Sequence, residues 1–197
     1  MSDEGFGADV GVAYRRSVRA WIAVVEGIGD VWAARTPCSD WDVRQLVNHV
    51  VGEDRWTSPL VEGLTMAEVG DSLDGDLLGD EPRLVARAAA EEAVAAVDQR
   101  LPDGGTVHLS YGEESLGEYL WQLTADHLIH GWDLAAATGQ DRALDAGLVD
   151  AVGAWFIERE QMYRSGGAVE ARPDSATGGT PSADLLIAFG RDPAWTA

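Results

Sequence analysis

The chain has 197 residues, 46% of them hydrophobic. That is enough to bury a full core, and the soft prior of ~150 residues per domain predicts one domain spanning 1–197. A formal charge of −20 opposes polyanionic partners, so nucleic acid and anionic membrane surfaces are excluded as binding targets, while the single cysteine, Cys38, excludes an internal disulfide or a cysteine-based zinc cluster.

All 14 basic residues are arginine, which excludes lysine Schiff-base and P-loop chemistry. The opening "MSDEGFGADV" is acidic and has no basic flank leading into an apolar stretch, unlike a secretory signal. The longest apolar runs, such as "AWIAVVEGIG", are broken by charge well short of the ~20 residues of a membrane helix. A cytoplasmic protein is expected.

Apolar residues recur at helical spacing in long segments, and no comparable run alternates with period two, so an all-α fold is predicted. The first helix is expected over about residues 8–28, with Val10, Tyr14, Val18, Trp21, Ile22, Val25 and Ile28 facing the core. In "RTPCSDWDVRQLVNHVVGEDRW", Ser39 followed by Asp42 has the spacing of a capping box, which starts the second helix near Asp40. Thr65 and Glu68 repeat the pattern before a short helix. The connection "GDSLDGDLLGDEP" is acidic, but Asp71, Asp74, Asp76 and Asp80 do not have calcium-loop spacing and read as a solvated loop. "PRLVARAAAEEAVAAVDQRL" is a third long helix with Pro82 in its first turn.

"GGTVHLSYGEE" reads as a short extended piece in which His108, beside Tyr111, is structural. Ser115 caps the next helix, expected over about 115–138, and a final long helix is expected from about Leu144 to Arg164. Residues 165–183, rich in Gly, Pro and Ser, are expected to be irregular before a short C-terminal element. This order of elements suits a helix bundle with a site between facing helices.

The chemistry concentrates in "TADHLIHGWDLAAATGQD". Asp126 and His130 are four apart on a helix, so both side chains lie on one face and can chelate one ion. His127 falls about 100° away, with Leu116, Leu120 and Leu134, and reads as a core imidazole or a supporting group. On the second helix His49 flanks the buried stripe Val43, Leu46, Val47, Val50 and Val51, with Glu53 one turn on as a candidate extra ligand. Two histidines and a carboxylate would leave open positions on an ion, as in catalytic zinc sites. Spacing alone leaves a second reading open, in which hydrogen-bonded core histidines and an ordinary helical Asp/His pair bind no metal.

"TPCSDWDVRQLVNHVVG", "HGWDLAAATGQD" and the closing "LLIAFGRDPAW" resemble the signatures of the DinB-like superfamily, specifically its mycothiol-dependent maleylpyruvate isomerase N-terminal-type group, in order along nearly the whole chain. The resemblance implies a four-helix bundle holding a divalent metal, usually zinc, through His49, Asp126 and His130. It also implies that the open metal position binds the thiol of a small cofactor, mycothiol in the best-known case, for attack on a small electrophile. A metal-bound thiol is deprotonated, so no protein cysteine is needed, and Cys38 reads as a small packed side chain. The isomerase pattern has glutamate where this chain has the shorter Asp126, and the isomerase carries a further C-terminal domain for which this chain has no room. Maleylpyruvate is therefore not the expected substrate.

Three activities fit the same residues: a thiol-dependent metalloenzyme, a non-catalytic ligand- or protein-binding module, and a thiol-independent metal-assisted hydrolase. Arg44 and Arg55 could bind an acidic group but read better as surface charges. Trp56, Trp121 and Trp132 could line a pocket but read better as core. No long exposed apolar stripe demands a partner, so a monomer is expected.

Overall fold

The apolar stripes become four long helices: α1 (Glu4–Glu26), α2 (Val43–Val61), α4 (Pro82–Arg100) and α5 (Leu116–Thr138), with the short α3 (Met66–Val69) in the second connection. The computed structural model describes residues 4–174 and 176–197. α1 packs on α5 and α4, and α2 packs on α4 and α5, so the four close into a ring in the order α1, α5, α2, α4. This is the all-α bundle expected. A two-stranded antiparallel hairpin, β1 (Thr106–Leu109) and β2 (Gly112–Ser115), precedes α5, with Val107 opposite Glu114 and His108 opposite Glu113.

The core candidates of α1 are buried, with Ile22 half-buried, and the α2 stripe Val43, Leu46, Val47, Val50 and Val51 is wholly withdrawn from solvent. Each such side chain contributes roughly 1.5–3 kcal/mol on burial. α4 buries Ala86, Ala89, Ala90 and Ala93, small residues that let its backbone come close to α2. α5 is buried over most of its circumference, as expected of a helix apolar on nearly every face. It ends at Gly139, whose left-handed φ of 70° suits glycine, and Gln140 then donates to the Val24 carbonyl near the end of α1.

Two boundaries differ from the sequence reading. The α2 cap is Asp42 paired with Gln45, not Ser39 with Asp42: the Asp42 carboxylate accepts from the Gln45 amide while the Gln45 side chain accepts from the Asp42 amide. Thr36 holds the preceding segment in a turn by donating to the Cys38 and Trp41 carbonyls, which delays the helix to Val43. The expected helix from Leu144 to Arg164 is two pieces, α6 (Ala146–Phe156) and α7 (Glu160–Ser165), broken at Ile157–Arg159. At this break Arg159 turns inward to Glu118 and to the Trp155 carbonyl. Residues 166–174 and 176–180 are irregular and lead to α8 (Pro181–Ala188), which packs on α6. Among the described residues no helix is long and apolar enough to cross a membrane.

Candidate functional site

The packing of α2 against α5 brings His49, Asp126 and His130 together. One ligand atom from each lies within 4.8 Å of the others. His49 Nε2 is 3.5 Å from Asp126 Oδ2, and His130 Nε2 is 3.3 Å from Asp126 Oδ1. Donors around one tetrahedral ion at ~2.1 Å stand ~3.4 Å apart, close to these two imidazole-to-carboxylate separations. Asp126 Oδ2 is buried and receives no hydrogen bond, an unsatisfied lone pair facing the imidazoles. A divalent cation fits this donor set.

The electrostatics follow from burial and proximity. Burial opposes a charged imidazole at His130, but Asp126 and then Asp133 outweigh it and push its pKa up to about 9. Burial would likewise raise the Asp126 carboxyl, yet His130 and His49 hold it well below the usual carboxylate range. The Asp126 carboxylate and the two imidazoles thus form one compact cluster, and a cation bound there would take the place of the His130 Nε2 proton.

Support comes from a residue that the spacing rules could have found and one that they could not. His130 Nδ1 donates to Asp133 Oδ2 at 3.1 Å, three residues on in the same helix. Asp133 is fully buried and is held by Arg191, whose Nε and Nη2 approach its two oxygens at 2.9–3.2 Å. A carboxylate on the far nitrogen of a ligating histidine fixes its tautomer and orientation. The spacing from His130 to Asp133 was visible in "HGWD", but no local signal in "FGRDPAW" connects Arg191 to it. On the other side Trp41 stacks on His49 with ring centroids 4.5 Å apart.

The remaining candidates separate. His127 does not join the cluster: it is buried in the bundle, where Nδ1 donates to the Leu123 carbonyl and Nε2 meets Asp54 Oδ1 at 3.1 Å. Acceptors stand at both nitrogens, and Asp54 outweighs the opposing effect of burial to raise its pKa. Glu53 lines the cavity but is outside the cluster of donor atoms, and burial followed by Asp126 raises its carboxyl. His108 pairs with Glu113 across the hairpin.

His49, Asp126 and His130 form part of the wall of a cavity of about 510 Å³. Trp41 and Trp155 line it, whereas Trp56, Trp121 and Trp132 do not, and Arg44 and Arg55 are also absent from its lining. Arg44 is bound to Asp76 and to the Gly79 carbonyl. Cys38 faces the same cavity, but burial pushes its thiol up to about 11, the opposite of activation at a helix N-terminus.

Residues 14–135 match the family described as mycothiol maleylpyruvate isomerase N-terminal domain. Two uncharacterized proteins of Mycobacterium tuberculosis, from strains CDC 1551 and H37Rv, are each 32% identical over 186 residues, spanning 90% of this chain and 94% of the relative. No solved structure matches the chain. The matched segment contains α2, α5 as far as residue 135 and the whole donor cluster, and the chain belongs to the mycothiol maleylpyruvate isomerase N-terminal domain family.

Proposed function

We propose that the protein is a metal- and mycothiol-dependent enzyme in which His49, Asp126 and His130 hold a divalent ion, zinc, and a thiol is transferred or added to a small electrophile. It would act as a cytoplasmic monomer. The observation that carries this reading is the convergence of three donor atoms within 4.8 Å on a cavity wall. The family description adds the thiol. When bound, the ion would supply Lewis acidity, keeping a coordinated thiol deprotonated at neutral pH.

The chain's own groups have separable tasks. Asp133 accepts the Nδ1 proton of His130 and so turns Nε2 toward the centre. Asp126 brings one negative charge to two neutral imidazoles, which leaves a divalent centre able to accept an anionic sulfur. Trp41 limits the rotation of His49 and shields the ligands from water on one side. Cys38, protonated up to about pH 11, does not compete as an internal nucleophile.

The test is metal analysis of protein purified without chelators, followed by addition of mycothiol to the cobalt-substituted form. About one metal per chain, lost in His49→Ala and His130→Ala, together with a sulfur-to-metal charge-transfer band on adding mycothiol, is the expected result. Metal without that band would point to hydrolysis by bound water, and absence of metal uptake would leave a binding module.

A further inference from the structure

The cavity beside the donor cluster has two kinds of wall. Leu123, Ile129, Trp155, Phe156, Val169 and Phe189 form an apolar side, in which Phe156 and Phe189 stack with centroids 4.1 Å apart. Its titratable lining comprises the carboxylates Asp40, Glu53, Asp126 and Glu170, the imidazoles His49 and His130, and one arginine, Arg191; Asp40 and Glu170 are the exposed carboxylates of the rim.

The arginines near this wall are already engaged. Arg191 is spent on Asp133 and on the Phe189 carbonyl. Arg159 binds Glu118 and the Trp155 carbonyl, and its guanidinium lies over the Trp155 ring. Arg164 binds Glu160 and the carbonyls of Glu170 and Ala188. A pocket that recognises a carboxylate bidentately presents an unpaired guanidinium fork, and Arg191, the one arginine among the described lining residues, has its Nε–Nη2 fork on Asp133. The overall charge of −20 adds long-range repulsion of anions.

We propose that the electrophile taken by this site is uncharged and largely apolar, seated against the Leu123–Trp155–Phe189 wall, and that dicarboxylates are excluded by the acidic rim. This rests on the thiol-dependent reading for its chemistry but not for its binding selectivity. The reaction balances without a redox partner: for an activated alkene the sulfur–carbon bond forms at one alkene carbon and the thiol's proton ends on the other.

Two unreactive probes of one shape, dimethyl phthalate and the phthalate dianion, test the selectivity by calorimetric titration of metal-free and zinc-loaded protein. The ester is expected to bind at least ~10-fold more tightly than the dianion in metal-free protein. Trp155→Ala should weaken the ester ~10-fold, and the double variant Asp40→Asn/Glu170→Gln, both at exposed positions, should narrow the gap by admitting the dianion. Equal or tighter binding of the dianion to metal-free protein, or binding of neither probe, overturns the proposal. A parallel assay of mycothiol addition to dimethyl maleate and to maleate separates the two ideas. If the ester preference in binding persists while neither alkene reacts, the thiol reading has failed and the pocket selectivity stands.

Discussion

Arg191 and Asp133 are 58 positions apart, yet they meet as a buried ion pair with contacts of 2.9–3.2 Å, and the same carboxylate accepts the Nδ1 proton of His130. A C-terminal residue outside the family-matched segment thereby orients a proposed metal ligand inside it.

Removing one partner leaves the other charge buried without compensation. Arg191→Met should cost about 3–5 kcal/mol of stability, measured by denaturant titration. Arg191→Lys, which keeps the charge but loses the fork, should cost less and still weaken zinc binding ~10–100-fold in a chelator competition, because His130 loses its fixed orientation. Unchanged affinity in Arg191→Lys would show that the pair serves stability alone.

The Cys38 thiol, raised by burial to about 11, should be inert at neutral pH. At pH 8 its alkylation by iodoacetamide, followed by mass spectrometry, should run about two orders of magnitude slower than that of a free thiol of pKa ~8.5. Its folded pKa lies above the unfolded value, so the unfolded state loses its proton first as pH rises. Stability from this group is complete below about pH 8.5 and declines up to about pH 11. Cys38→Ser should flatten that alkaline decline.

Glu160 behaves in the opposite sense. Hydrogen bonds from Arg172 and then Arg164 lower its carboxyl to about 2. Its contribution is present above the unfolded value of ~4.5 and is lost as pH falls toward about 2. With Arg172 half-exposed, solvent screening limits this to ~1 kcal/mol. Glu160→Gln should lower the melting temperature at pH 7 and should match the parent near pH 2.

The Asp42 cap starts the helix that carries His49. Asp42→Ala should cost roughly 0.5–2 kcal/mol in chemical denaturation. Ser39→Ala should change stability by less than ~0.5 kcal/mol, because Ser39 is exposed and outside the capping box. Equal losses in both variants would return the cap to Ser39.

Much of this architecture was legible locally. The spacing of Val43, Leu46, Val47, Val50 and Val51 predicts the buried face of α2, and the four-residue interval from Asp126 to His130 puts both on one face of α5. The acidic "GDSLDGDLLGDEP" reads as a loop and folds as one, its Asp76 pairing with Arg44. The Ser39 boundary failed because two capping patterns overlap in "SDWDVRQ", and only the turn closed by Thr36 selects Asp42. The break between α6 and α7 failed because periodicity continues across Ile157–Arg159, while the attraction of Arg159 to Glu118 on α5 acts between distant positions.

The sequence by itself determined the helical class, the apolar faces, the exclusion of cysteine and lysine chemistry, and the shared face of Asp126 and His130, because each depends on residue type or on spacing within a few turns. Tertiary structure decided that His49 meets that pair at 3.5 Å, that Arg191 holds Asp133, that His127 turns to Asp54 instead, and that Trp41 and Trp155 face the cavity in place of Trp56, Trp121 and Trp132. Those relationships join positions far apart in the chain, and helical periodicity carries no information about which helix, or which end of the chain, will stand opposite.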